Sequence, residues 1–336
     1  MRIIFALCFL LLLNSCAMTS IKKEKINGVS YVASRDSIDQ KHIDPILHLN
    51  ANYAAIMPFG FIRDLEHPEV VFNSDRQWFG ETKNGVKQYI ETLKKDHIKV
   101  MMKPQIWVWR GAFTGLINMK TEDEWVQFEN TYSNFILEYA KVAEDTETEI
   151  FCIGTELENF VAKRPEFWKQ LITNIRSIYK GRLTYAANWN EYTKTSFWDQ
   201  LDYIGIDAYF PLSDKQTPTI QDCKEGWNKY KTEIKSYYEV YNKPILFTEF
   251  GYRSVDFTAK APWVSDMEMN TVNLDAQVNA THAIFDEFWK EDWFAGGFLW
   301  KWFHEHDKVG GEDDSQFTPQ NKPVEEIVRK FYGFNR

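Results

Sequence analysis

The chain has 336 residues, 44% hydrophobic and 26% charged, which excludes disorder and allows two ordinary domains or one long α/β barrel. A formal charge of −9 and the lack of any long Lys/Arg run exclude nucleic acid as a partner, because phosphate contacts need clustered cations. Aromatic residues reach 16%, so either the core is unusually rich in rings or some rings form a surface that stacks on sugars.

The first element is an address. Met1 and Arg2 precede an apolar stretch, Ile3 to Leu13, that is too short for a bilayer span of about 20 residues. A charged start, a short apolar run and small residues before a cut mark a secretory signal peptide over residues 1–15. Leu13-Asn14-Ser15-Cys16 resembles a bacterial lipobox, with Asn14 unusual at its position. That resemblance implies a lipid on Cys16, a membrane anchor and a tether over residues 16–27. No acidic run follows Cys16, which favours the periplasmic face of the outer membrane. Cys152 and Cys223 then remain; two cysteines make no disulfide scaffold, and Cys152 reads as a small apolar strand residue.

Beyond the tether a coarse unit recurs: a short apolar run, then a longer segment with helical spacing. The runs are Gly28–Ser34, Ala54–Phe61, Val100–Trp107, Phe151–Glu156, Leu183–Trp189, Tyr203–Tyr209, Pro244–Phe250 and Gly297–Trp302. Helices are predicted over Lys83–Asp96, Glu122–Ala143, Phe167–Tyr179, Cys223–Tyr241 and Leu274–Trp289, with a closing helix in Asn321–Tyr332. Strands alternating with helices predict a single (β/α)8 TIM barrel over residues 28–336. An open doubly wound sheet is the alternative, but no Gly-x-Gly-x-x-Gly turn follows any run.

Side chains along a strand alternate between faces. Ile204, Ile206 and Ala208 share one face, and Tyr203, Gly205, Asp207 and Tyr209 the other. Val100, Met102 and Ile106 likewise oppose Met101, Lys103, Gln105 and Trp107, and Phe151 and Ile153 oppose Cys152, Gly154 and Glu156. The aliphatic faces should pack on helices and the others should line the barrel, with polar and aromatic groups at the C-terminal mouth where barrel enzymes place their sites.

Two glutamates end runs four and seven: Glu156 and Glu249. Strands four and seven face each other across a barrel mouth. A carboxylate pair aimed at one bond is the equipment of glycoside hydrolysis, one protonating the leaving oxygen and the other attacking the anomeric carbon or activating water. One Glu at a strand end is often half of a structural ion pair; two on these strands argue for chemistry.

The strand endings Met102-Lys103-Pro104-Gln105, Ile153-Gly154-Thr155-Glu156-Leu157-Glu158 and Phe247-Thr248-Glu249-Phe250-Gly251-Tyr252 are similar to those of glycoside hydrolase family 113, within clan A of retaining (β/α)8 enzymes. The resemblance spans nearly the whole mature chain and implies an endo-β-1,4-mannanase that needs no cofactor and no metal. It implies Glu156 as acid/base, Glu249 as nucleophile, Tyr209 as a hydrogen-bond donor to Glu249, and Trp300 as the floor under the reacting sugar. Thr155 stands where many clan A enzymes carry Asn, leaving Asn188 or Lys103 to bind the sugar 2-OH.

Further substrate contacts are expected from Lys103, Gln105, Asp207, Trp107 and Trp302, with Trp109 and Trp189 beside them. Glu158 either touches a sugar hydroxyl or pairs with a Lys. His304-Glu305-His306-Asp307 lacks a third ligand and reads as a polar loop, and Gly310–Ser315 lacks the spacing of a calcium loop. The expected partner is a β-linked oligo- or polysaccharide. The rivals are the same machinery on another β-linked glycan and a barrel that only binds envelope glycan.

Overall fold

In the computed structural model, which describes residues 24–264 and 271–334, all eight runs become parallel strands of one closed barrel. In chain order they are β1 (Ile26–Tyr31), β2 (Tyr53–Ile56), β4 (Lys99–Met102), β6 (Ile150–Thr155), β7 (Arg182–Asn188), β8 (Ile204–Asp207), β9 (Ile245–Phe250) and β10 (Phe294–Trp302). β1 closes the ring by pairing with both β10 and β2. β3 (Phe59–Ile62) and β5 (Gln105–Val108) pair in a small separate sheet.

The helices form where capping chemistry and apolar spacing agree. α2 (Lys83–Lys95) opens with the Thr82 hydroxyl accepting from the Gly85 amide, and α3 (Glu122–Asp145) opens with a reciprocal Thr121–Glu124 box. α6 (Ile220–Tyr241) repeats that box with Thr219 and Asp222 and stops at Asn242, which takes the left-handed conformation. α5 (Pro165–Ile178) and α8 (Pro323–Gly333) begin on prolines, where the missing amide costs nothing. α7 (Leu274–Phe288) is capped by Asn273. Two helices were not predicted. α1 (Gln40–His48) carries Pro45 inside it, and α4 (Glu158–Lys163) is too short to show a period.

The alternation holds. Ile204, Ile206, Ala208, Val100, Met102, Phe151 and Ile153 pack in the outer core between barrel and helices. Met101, Cys152 and Tyr203 join Ile26, Tyr53, Leu246 and Phe298 in a separate cluster inside the barrel. Each fully buried Leu, Ile or Phe contributes about 1.5–3 kcal/mol. Much of the aromatic surplus is core: Trp168, Trp198, Trp227, Trp289 and Trp302 are among the largest fully buried side chains.

Three boundaries differ from expectation. The runs Ala54–Phe61 and Val100–Trp107 each break, at Pro58 and Pro104, because proline removes a ladder donor. Their first halves enter the barrel and their second halves become β3 and β5. The stretch read as tether ends early, since β1 starts at Ile26 and Lys25 is already buried, its ammonium donating to the Glu291 carbonyl at 2.6 Å. The signal peptide and Cys16 lie outside the described residues.

Candidate active site

Glu249 lies near the end of β9, and strict alternation would aim it outward with Phe247. A bulge prevents this. Ile206 pairs with Phe247, but the next residue, Asp207, pairs with Glu249, so two residues of β9 oppose one of β8. Phe247 and Phe250 both stay in the outer core, while the extra residue turns Glu249 into the mouth.

There Glu249 collects three donors. The Lys103 ammonium contacts its Oε1, the Gln105 amide donates to the same oxygen at 3.2 Å, and the Tyr209 hydroxyl donates to Oε2 at 2.8 Å. Glu249 is 6% exposed, so these donors replace most of the water shell of its carboxylate. Lys103 also lies 3.4 Å from both oxygens of Asp207, which accepts from the Thr248 hydroxyl at 2.7 Å. Burial would push the Lys103 ammonium down, but Asp207 and Glu249 outweigh it and the net shift is upward. Burial and the nearby Glu249 carry Asp207 up to about 7, against Lys103 and Thr248.

Glu156 follows β6 with φ +51°, a left-handed conformation uncommon for glutamate. Its backbone is held at both ends: its amide donates to the Ala186 carbonyl at 2.8 Å, and its carbonyl accepts from the Thr114 hydroxyl at 3.0 Å. The next amide, Leu157, donates to the Tyr185 hydroxyl at 2.7 Å, which donates on to Glu191 at 2.6 Å. Glu191 also accepts from the Asn188 amide at 3.0 Å, and burial pushes its carboxyl up to about 7. Burial, then the charges of Asp207 and Glu249, raise the Glu156 carboxyl well above the usual range. Glu156 thus feels the charge of Glu249 across the mouth. One is held by cationic and neutral donors; the other is biased toward its protonated form.

Most expected residues assemble here, with roles that sometimes differ. Tyr209 and Gln105 touch Glu249 as described. Lys103 and Asp207 were expected to contact substrate, but both side chains have zero exposure; they position Glu249 from beneath. Asn188 ends β7 opposite Asp207, its side-chain oxygen taken by the Trp189 amide at 2.7 Å. Trp300 is half-buried, and its carbonyl lies so close to Gly251 that a Cβ there would sit 2.4 Å away.

Trp302 corrects the expectation: it is fully buried in the outer core, near His306, and offers no face to a sugar. Glu158 also does not share the Glu156 face. The strand ends at Thr155, α4 starts at Glu158, and its carboxylate pairs with Lys194 at 2.5 Å. Trp107 lies outside the cluster around Glu249, 48% exposed on β5. His306 is occupied by Glu325 at 2.8 Å.

Thr248, Tyr185, Glu191 and Lys301 were not foreseen. Lys301 is half-buried between the rings of Trp300 and Phe303, and its ammonium is lowered by burial despite the charges of Glu249 and Asp314. Tyr185 lies on the outer face of β7 against Trp168 and Phe197, so strand alternation reads it as core, and nothing local marks Glu191.

Among solved structures, the chain matches a family 113 β-1,4-mannanase in a complex, with TM-score 0.80 and 23% identity over 92% of this chain and 99% of that one. It matches the family 113 β-mannanase of Alicyclobacillus acidocaldarius in complex with ManMIm at TM-score 0.79 and 22% identity, over 93% and 98%. A β-glucuronidase of Faecalibacterium prausnitzii matches at TM-score 0.61 and 15% identity, over 93% of this chain and 49% of that one. A search of curated proteins finds no match. The model of Glycoside Hydrolase Family 113 matches residues 33–322. With the fold, the paired glutamates and this match in agreement, the chain belongs to glycoside hydrolase family 113.

Proposed function

We propose that the protein is a retaining glycosidase that cleaves β-1,4-mannan or mannooligosaccharides by double displacement. The observation that carries this is the asymmetry of the carboxylates: Glu249 held by Lys103, Gln105 and Tyr209, and Glu156 raised by burial and by its anionic neighbours. The mannan preference is supported by the family and by the two mannanases that share the fold.

In the first step Glu156 gives its proton to the glycosidic oxygen while a Glu249 oxygen attacks the anomeric carbon. The C–O bond to the leaving sugar breaks and an ester to Glu249 forms. Esterification removes the Glu249 charge. One of the causes that raise Glu156 is then gone, and Glu156 accepts a proton from water. The hydroxide oxygen attacks the same carbon, the ester bond breaks, and both carboxyls return to their starting states. Lys103 and Tyr209 hold Glu249 in one orientation throughout, and Trp300 offers a flat face beside it.

The test is product analysis on mannohexaose against cello- and xylo-oligomers, with NMR of the first-formed anomer. Wild type should release the β-anomer from mannan substrates, and Glu249→Ala should lose about 10³-fold or more in rate, as expected for a missing nucleophile. An α-anomer as first product refutes retention. Undiminished cleavage by Glu249→Ala refutes the nucleophile. Preference for cello- or xylo-oligomers refutes the mannan assignment.

We also read Cys16 as the site of a lipid that anchors the chain in the cell envelope, facing the periplasm. β1 runs from the barrel floor at Ile26 toward the mouth, so an anchored chain would enter at the floor. The mouth would then open away from the bilayer, with no more than roughly 36 Å of extended chain between Cys16 and Ile26. Labelling with radioactive palmitate, lost in Cys16→Ser, tests this; equal labelling of both refutes it.

A further inference from the structure

Away from the catalytic cluster, the small sheet has two unlike faces. Ile62, Ile106 and Val108 point into the outer core. The other face carries Phe59 and Phe61 on β3 and Gln105 and Trp107 on β5, with Phe59 opposite Gln105 and Phe61 opposite Trp107. The inner end of this face is chemically committed, because the Gln105 amide reaches Glu249 Oε1 at 3.2 Å. Two residues outward, Trp107 is 48% exposed, with the Phe59 ring edge-on to it at 6.5 Å. Phe59 and Phe61 are themselves in contact at 6.2 Å and half-buried.

Farther out, Val71 adds an antiparallel bridge to Phe61. There Phe61, Val71 and Trp109 wall a depression of about 260 Å³ that also receives Arg63, His67 and Glu69. Trp109 is 68% exposed. A line of exposed rings costs solubility and calls for a ligand. Rigid rings give contact area at little entropic cost, and polar side chains at the rim give direction; a chain of sugars presents apolar C–H faces and hydroxyls together.

We propose that this face is a glycan-binding track that extends the cleft outward from Glu249. It holds the part of a β-linked chain several sugars from the cleaved bond, with Trp107 as the inner platform and the Trp109 depression as the outer one. The occupant follows from continuity: the same β5 face begins at the nucleophile candidate through Gln105 and continues as rings. The track rests on the hydrolase reading above and adds to it a preference for long substrates.

The test compares kcat/KM on mannohexaose and mannotriose for wild type, Trp107→Ala, Trp109→Ala and the double variant, with Trp107→Phe as a rescue. Each tryptophan is exposed, so unfolding midpoints should match wild type, and a variant that fails this check is replaced by its Phe counterpart. The hexaose-to-triose ratio should fall about tenfold in the double variant, the size of one lost aromatic anchor, and recover in part with Phe. A ratio unchanged within about twofold overturns the track. A wild type that cleaves no mannan sinks the mannan reading separately. The track is then decided by affinity electrophoresis in gels of mannan, xylan or soluble cellulose. Retardation that the double variant loses supports it; no retardation, or equal retardation of both proteins, overturns it.

Discussion

Lys103 is the residue whose removal should report most directly on the site. It has zero side-chain exposure, contacts Glu249, and lies 3.4 Å from Asp207. Lys103→Met keeps the volume and deletes the charge, leaving two buried carboxylates without their shared cation. Breaking a buried ion pair costs about 3–5 kcal/mol, and a large domain loses roughly 2–4 °C per kcal/mol, so the midpoint should drop by roughly 6–20 °C near pH 8. The loss should depend on pH, with a sign set by Asp207. Its folded value of about 7 exceeds its ordinary 3.8, so between those pH values the folded state binds more protons than the unfolded one. Stability contributed by this group therefore falls as pH rises through that window. Lys103 lowers Asp207, so its removal lifts the folded value and carries the decline to higher pH. Thermal unfolding followed by circular dichroism should show a steady gap between the two proteins below about pH 6 that widens from about pH 7 to about pH 9. A gap below about 2 °C at pH 8, or one of constant size, would refute the account of Lys103 as the cation that makes this burial tolerable.

Tyr209→Phe removes one 2.8 Å hydrogen bond to Glu249, and a bond to a charged group of about 1.5–3 kcal/mol predicts a kcat/KM lower by about 10–100-fold; an unchanged value would show that the hydroxyl holds nothing. Glu191→Gln removes a negative charge that helps raise Glu156, so the alkaline limb of the kcat/KM profile should move to lower pH, and a limb that stays or rises contradicts Glu191 as one of the charges acting on Glu156. Gly205→Ala would set a Cβ 2.2 Å from the Tyr185 carbonyl and 2.5 Å from the Thr184 hydroxyl, costing about 1–3 kcal/mol or more in denaturant titration; full stability would mean the strands part more easily than their packing implies. Burial lifts the thiols of Cys152 and Cys223 to about 11 and about 12, so peptide mass spectrometry should find both alkylated only after denaturation; rapid native labelling of either would contradict its burial.

The barrel was legible in the sequence because its evidence is local and repeated. Each strand needs a run of apolar and β-branched residues, and each helix a cap and a face, and those signals survive in Thr121–Glu124, in Thr219–Asp222 and in the alternation of Tyr203–Tyr209. The two glutamates could be picked out for the same reason, as charged residues ending apolar runs at the spacing of strands four and seven. What surrounds them is a matter of which distant segments meet. Alternation places Glu249 on the wrong face, and only the slip of β9 against β8 turns it inward, a two-strand event that no single strand encodes. Lys103 and Asp207 face the barrel interior as their strands require, but that they neutralise one another beneath Glu249 depends on three strands closing into a ring. Trp302 looks like a sugar platform by its place in the chain and is core by its neighbours, and Glu191 gains its importance from a tyrosine that reaches back to the Leu157 amide. Periodicity and capping act over a few residues and so are written into the chain; burial, register and the pairing of charges arise only when the chain closes on itself.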